Sequence, residues 1–462
     1  MKTNIASTAL ETIRYLGLAL GAVLLVMGRT LAQPAGGGGA GNDLQGVDLD
    51  ATGPAVRLAA LRRARDTLID IGDFNAALNP ATETVAAQDG APDRDYAHDL
   101  EVLARVQTEL QNFDKAEANY LKAIDSVQGS QGEFSLTLVE PYRGLGRMYI
   151  KSARYPEAIT ALKQAQHISQ RNLGLFNVEQ APLLDDITTA YLGAGDTVEA
   201  RKLQIQRVDN AVRRFGADDP RVIPFRYQLA DYYERSRMPV SAREQYEAVL
   251  KSQEAEVGSD APALMKPLRE VVKMDLTLSQ GDDEAAHSRL MEILEHHPDS
   301  DPVERGLSLA VLGDWATVTG DVAAAQDYYG QAWTALRAGQ GFDAKKYFEN
   351  PVALDFVAPL SAVDRGTRPR PYGWASVAFK FDLSADGRPH GVKAVGIESP
   401  IPSTSIVSRY LRRVRETHFR PRIVDGQAVA TQDVRFTHYF RYYVKKGDGK
   451  DGRKDEPKDD KG

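Results

Sequence analysis

Eight histidines and no cysteine bound the chemistry this 462-residue chain can hold. Without a thiol, a disulfide, a thiolate zinc site, a cysteine nucleophile and a lipid-modified N-terminal cysteine are all excluded. His296 and His297 are adjacent, so their rings diverge and cannot chelate one metal as an i, i+4 pair does. Asp299 and Asp301 beside them fit a solvated loop. The acidic run Asp282-Asp283-Glu284 suits the start of a helix, where negative charge meets the positive end of the dipole. Asp448, Asp451 and Asp455 lack the spacing and terminal Glu of a calcium loop. No HExxH, GxSxG, phosphate-binding Gly-Lys-Ser/Thr loop or dinucleotide fingerprint is present, and the glycine run at 36–39 follows no strand. The expectation is a protein without catalytic residues, cofactor or metal: not an enzyme.

Charge is unevenly spread. The whole chain carries a formal −7, yet residues 368–441 hold 13 Lys and Arg against 6 Asp and Glu. A basic module on an acidic body fits an anionic partner or a docking role as well as a merely solvated face. Arg409, Arg412, Arg413, Arg420 and Arg422 are the cations an anionic envelope polymer would meet.

The N-terminus predicts a compartment. Lys2 and Arg14 precede an apolar run at 15–27, followed by Thr30 and Ala32 at A-x-A-like spacing. This is the pattern of a secretory signal occupying 1–32, with Ala32/Gln33 as the junction. At about 13 residues the apolar core is short of the roughly 20 a spanning helix needs. The mature protein is expected to be exported and periplasmic; the alternative is an inner-membrane anchor facing the periplasm. Export argues against a nucleic-acid partner. Residues 33–54 form a Gly-rich linker.

The elements that must position any site come next. Gly132, Gly174, Gly216 and Gly258 stand 42 residues apart, as do Ala116, Ala158, Ala200 and Ala242. From 55 to 340 an apolar-periodic segment, a short break, a small-residue-rich segment and a polar loop recur seven times. The breaks include Gly72-Asp73-Phe74, Arg154-Tyr155-Pro156, Gly281-Asp282 and Gly320-Asp321. A period of this length predicts stacked helix–turn–helix units.

These residues resemble the tetratricopeptide repeat. The best copy is Tyr142, Leu145, Gly146, Tyr149, Ala158, Leu162 and Ala165; Leu229, Ala230, Tyr233, Ala242 and Tyr246, and Leu312, Gly313, Ala325 and Tyr329, repeat it. Gly146 and Ala158 are expected where two helices cross too closely for a larger side chain. Tyr328, Tyr329 and Trp333 are expected as inter-repeat packing. The usual repeat has about 34 residues, and a step of 42 is similar to the kinesin light chain variant. In its connector-like segment Gly216-Ala217-Asp218-Asp219-Pro220, Asp218 or Asp219 caps the next helix.

After a linker at 341–370 the period changes. Val377, Phe379 and Phe381 alternate with Ala378, Lys380 and Asp382, which predicts a strand. Asp386-Gly387 signals a hairpin into a second strand near 392–397. A helix opens at Ser403 or Ser405 with Val407, Tyr410, Leu411 and Val414 on one face. Phe419-Arg420-Pro421, a turn at Asp425-Gly426 and a last strand at 434–444 complete a β-β-α-β order. Residues 445–462 are almost all Lys, Asp, Gly and Glu and are expected to be disordered.

The module at 371–444 resembles the C-terminal domain of TonB, on Val377, Phe379, Phe381, Asp386, Gly387, Phe419, Pro421, Gly426, Val429, Val434 and Phe436. The fold class expected is therefore mostly α: a tetratricopeptide-type solenoid, then a small α+β TonB-like domain. The resemblance implies that an extended segment of an outer-membrane receptor or envelope component docks by strand addition along the last strand. The candidate residues are Val434, Arg435, Phe436, Thr437, His438, Tyr439, Phe440, Arg441 and Tyr442. The other outcome is that this strand merely completes the sheet, its edge blunted by Arg435 and Arg441. A second partner, protein or peptide, is expected in the groove of the repeats. The whole reads as a non-enzymatic interaction scaffold of the envelope, linked to TonB-dependent transport; the alternative is a membrane-anchored TonB-type energy transducer. Against that alternative, the leader lacks a histidine and helical repeats stand where TonB has a Pro-rich spacer.

Overall fold

The computed structural model describes residues 53–88, 95–278, 284–358, 372–398 and 404–443. The expected leader, the linker up to residue 52, the tail, the Gly281-Asp282 break and Ser403 lie outside the described residues, as do the side chains of 372–374, 404–405 and 441–443. One compact unit runs Leu58–Gly462; the other, Met1–Arg57, contributes only residues 53–57 to the described part.

Seven helical pairs stand among the described residues. Their first helices are α1 (Pro54–Asp70), α3 (Tyr96–Glu109), α5 (Val139–Lys151), α7 (Ala181–Gly193), α9 (Ile223–Arg235), α11 (Met265–Leu278) and α13 (Pro302–Thr319). Their second helices are α2 (Phe74–Ala86), α4 (Phe113–Gln131), α6 (Tyr155–Leu173), α8 (Thr197–Phe215), α10 (Pro239–Val257), α12 (Ala285–His296) and α14 (Val322–Ala338). In the third to fifth pairs a first helix of 13 residues precedes a second of 19. The longer second helix is what extends the period to 42.

The periodic glycines have a backbone reason. Gly132, Gly174, Gly216 and Gly258 end α4, α6, α8 and α10 with φ between 88° and 102° and ψ between 153° and 165°. That region is essentially closed to any residue with a Cβ. Space is not the constraint, since a Cβ at any of the four would meet nothing within 4 Å. The turn continues into a short 3-10 segment, where Ser135, Asn177 and Asp219 cap by accepting from backbone N–H groups. Asp219, not Asp218, is thus the cap.

The alanine series does the opposite work. Ala116, Ala158, Ala200 and Ala242 are wholly buried. At Gly146 a Cβ would stand 2.4 Å from Leu162 Cγ, so the close crossing expected there is real. Leu162, Ile168, Leu184 and Ile187 fill the space between pairs with no exposed surface, each worth about 1.5–3 kcal/mol.

Residues 341–358, expected as linker, are ordered instead. They form α15 (Ala344–Tyr347) and β1 (Val352–Ala353). The reason is apolar: Phe348 is fully buried against Tyr329 and Trp333.

The C-terminal part contains β2 (Tyr372–Leu383), β3 (Pro389–Glu398), α16 (Thr404–Glu416), β4 (Phe419–Arg420), β5 (Arg422–Val424), β6 (Gln427–Val429) and β7 (Thr431–Tyr443). Three antiparallel strands lie in the order β3-β2-β7, with β1 pairing β4 and β5 pairing β6. Val377, Phe379 and Phe381 form the core with Tyr410 and Val414 of α16, Phe419 and Phe440. The expected small sheet with one helix is present, with two short added ladders. Asp425 and Gly426, at φ 50° and 82°, make the two-residue turn between β5 and β6, matching the primed geometry that closes tight hairpins.

Candidate interaction surfaces

Two surfaces could receive a partner: the face made by the first helices, and the edge of β7. Successive first helices pack on one another (α3 on α5, α5 on α7, α11 on α13), whereas successive second helices do not approach as closely. Closer packing along the first helices is how stacked helical pairs come to present a concave side.

The 42-residue step places one column of side chains along that side: Arg105, Arg147, Thr189, Asp231 and Lys273. Each follows the small or apolar residue at the helix crossing, so each points away from it. The side chains of Arg147, Asp231 and Lys273 are 54%, 58% and 40% exposed. Pairs between repeats flank the column: Lys151 Nζ to Glu109 at 2.5 Å, and Arg143 Nε and Arg147 Nε to Asp186 at 2.6 and 2.9 Å. Exposed pairs of this kind add little stability. What they supply is a patterned row of charges.

In the last repeat the column is not open. Asp314 follows Gly313 on α13 as Arg147 follows Gly146, one residue short of the 42-residue step; it is 3% exposed, and residues 308–317 are all buried. The C-terminal module reaches this helix at Asp314 and Thr317. Arg420 of β4 donates from Nε to Asp314 Oδ1 at 2.7 Å and from Nη2 to Oδ2 at 2.5 Å. The guanidinium also lies 4.9 Å from the centre of the Tyr347 ring. Arg420, one of the cations the sequence offers to an anionic polymer, is instead buried and committed. Arg409, Arg412, Arg413 and Arg422 are exposed.

Both hairpin turns of the module rest on the last repeat. Gln326 of α14 donates to the Gly426 carbonyl at 2.9 Å and accepts from the Ala428 N–H at 3.0 Å. A Cβ at Gly387 would stand 2.3 Å from the Phe419 carbonyl oxygen and 2.8 Å from Thr317. A cleft of about 380 Å³ remains between Thr317, Gln326 and Tyr329 on one side and Ala385, Asp386 and Ala428 on the other.

The candidate docking residues fall on β7, an edge strand paired only with β2 among the described residues. Phe440 and His438 are buried, Val434 and Phe436 are half-buried, and Arg435, Thr437 and Tyr439 are exposed. Arg441 and Tyr442 belong to β7, but their side chains lie outside the described residues. What reaches the β7 backbone is a residue that sequence reasoning missed. Arg237, in the α9–α10 turn, donates from Nη2 to the Tyr439 carbonyl at 2.9 Å, and its Nη1 lies 2.9 Å from His438 Nε2. Nothing local marks it: positions 111, 153, 195 and 237 share the 42-residue step, and only the structure shows that all four take a positive φ, in a turn that has no use for a guanidinium.

The histidine pair of the solvated loop faces one acid. His296 Nδ1 lies 3.0 Å from Asp260 Oδ1, and this hydrogen bond raises the pKa of His296. His418 Nδ1 lies 2.6 Å from Asp355 Oδ2, tying the segment after the repeats to the start of β4. Among the described residues no cluster of three His, Cys, Asp or Glu could hold a metal, and no helix is long and apolar enough to cross a membrane.

Residues 97–171 match the tetratricopeptide repeat family. No curated protein matches the chain. Among solved structures, the kinesin-light-chain-type TPR-like repeats of Podosopora anserina are similar at 19% identity, over 44% of this chain and 98% of that one, with a TM-score of 0.37. PilF of Pseudomonas aeruginosa is similar at 18% identity over 54% and 96%, with a TM-score of 0.32. PH0952 of Pyrococcus horikoshii, a signal transduction ATPase with a tetratricopeptide repeat sensor, is similar at 14% identity over 60% and 41%, with a TM-score of 0.41. The stretch 97–171, covering the two pairs α3–α6, is thus a tetratricopeptide-repeat segment.

Proposed function

We propose that this chain is an interaction scaffold of the cell envelope. Its first-helix face takes a protein or peptide partner, and the observation that carries this is the exposed column Arg105, Arg147, Thr189 and Asp231, continued by half-buried Lys273. Tetratricopeptide repeats over 97–171 support the role of holding partners. In this reading the C-terminal module takes an extended segment by strand addition along 434–442. Its partner is an outer-membrane receptor or another envelope component. Support comes from the edge position of β7 and the TonB-like residue pattern of the module. Export to the periplasm rests on the signal-like pattern at 1–32.

Site-specific photo-crosslinkers at 105, 147 and 231 on the first-helix face, and at 435 and 437 on β7, test both surfaces in the native host. Adducts at the first group with none at a second-helix control such as 160 are expected. Silence at all five positions would remove the proposal. Mass spectrometry of the mature N-terminus decides the compartment reading: a start at Gln33 is expected, while retention of 1–32 in a membrane fraction would favour the anchored energy transducer instead.

A further inference from the structure

Arg237 occupies a slot that asks for no side chain. Its φ is 58°, and the turn is closed by backbone alone, with the Arg237 N–H donating to Glu234 and the Met238 N–H to Tyr233. At the equivalent places the chain carries Gln111, Ala153 and Gly195. Glycine adopts this conformation without strain, so the arginine is not explained by the turn.

Its guanidinium explains it. One nitrogen lies 2.9 Å from His438 Nε2 and the other donates to the Tyr439 carbonyl at 2.9 Å, across about 200 residues of chain. Nη2 also lies 3.4 Å from His438 Nδ1, and because a guanidinium only donates it can bond this ring only through an unprotonated nitrogen. His438 is itself held between Phe356 and Tyr410, with ring centres 5.1 and 4.9 Å away. The contact therefore joins two fixed elements, the α9–α10 turn and the middle of β7.

We propose that Arg237 is a latch on the β7 edge: an extended segment adds to β7 only by displacing the guanidinium from the Tyr439 carbonyl. This rests on the strand-docking reading and adds to it a built-in competitor. The occupant is an extended peptide backbone, whose N–H takes over the carbonyl that Arg237 now holds. Docking on the module is thereby coupled to the α9–α10 turn of the fifth helical pair. A partner that draws Arg237 away would open the edge.

The test uses the full-length chain and a fluorescein-labelled synthetic peptide copying residues 431–443, an antiparallel edge-pairing probe. Arg237→Gly keeps the turn and removes the latch; Arg237→Gln is the second variant, and melting curves verify that both fold. Amide exchange at 437–440 is expected to quicken in Arg237→Gly, and the peptide to bind about tenfold tighter than to wild type, the scale of one hydrogen bond to a charged donor. Equal peptide affinity for wild type and both variants, with protection mapping to β7, would overturn the latch while leaving strand docking intact. Absence of binding to every form would overturn the docking reading and the latch with it.

Discussion

Asp314 and Arg420, 106 residues apart, form a two-bonded ion pair at 2.7 and 2.5 Å with both side chains under 10% exposed. Tyr329 also donates to Asp314, at 3.0 Å. The pair closes the last inner-face position with the chain's own β4 strand. A contact of the kind a partner would make with the open column is thus made here within the molecule, and it binds the module to the repeats.

Breaking that pair from one side strands a buried charge. Asp314→Asn or Arg420→Met is expected to cost about 3–5 kcal/mol, while the joint Asp314→Leu/Arg420→Met change is expected to be far milder. Urea unfolding of the three variants measures this. A double variant as unstable as either single one would show that the pair contributes more than mutual neutralisation.

Two glycines should fail for different reasons. Gly132→Ala meets no atom and is expected to lose about 1–3 kcal/mol through its backbone conformation alone. Gly387→Ala has the same positive-φ problem, at 80°, and also drives a methyl into the Phe419 carbonyl, so its loss should be larger. Thermal melts compare them; equal losses would contradict the close approach of the hairpin to β4.

Acid sensitivity should concentrate at Asp99. Burial by itself would raise this carboxyl, but hydrogen bonds from Arg62, Arg65 and Gln88 outweigh it and hold the pKa below its ordinary value. A folded pKa below the unfolded one stabilises above the unfolded value, and the contribution disappears as pH falls through the folded one. The stability gap between wild type and Asp99→Asn is therefore largest near neutrality and closes below about pH 4. A gap unchanged down to pH 2 would count against the pairing.

Surface charges on the inner face should separate stability from binding. Lys151→Ala and Arg147→Ala are each expected to cost under about 1 kcal/mol, because their partners Glu109 and Asp186 remain within reach of water. Charge reversal at Arg105 and Arg147 together is expected to abolish crosslinking on that face with the melting temperature nearly unchanged. Undiminished crosslinking would move the partner elsewhere.

Much of the architecture was legible because its cause is local. A turn that only glycine can make recurs at 132, 174, 216 and 258, and a crossing that excludes large side chains recurs at 116, 158, 200 and 242. The alternation of Val377, Phe379 and Phe381 and the turns at Asp386-Gly387 and Asp425-Gly426 likewise follow from residues a few positions apart. Residues 341–358 escaped because two short elements leave no period to read; Phe348 is ordered by Tyr329 and Trp333, which belong to another helix.

From the amino-acid order alone came the repeating helical pairs, the small sheet after them and the strand whose edge was at issue. Only the tertiary structure decided which charges are free to meet a partner. Arg420 and Arg422 are two residues apart in the same basic stretch, yet one is sealed against Asp314 and the other faces solvent. Arg237 looks like any turn residue until β7 arrives beside it. Backbone preference and apolar periodicity act within a few residues of the chain, whereas the fate of a charge depends on what folds over it from 100 or 200 residues away.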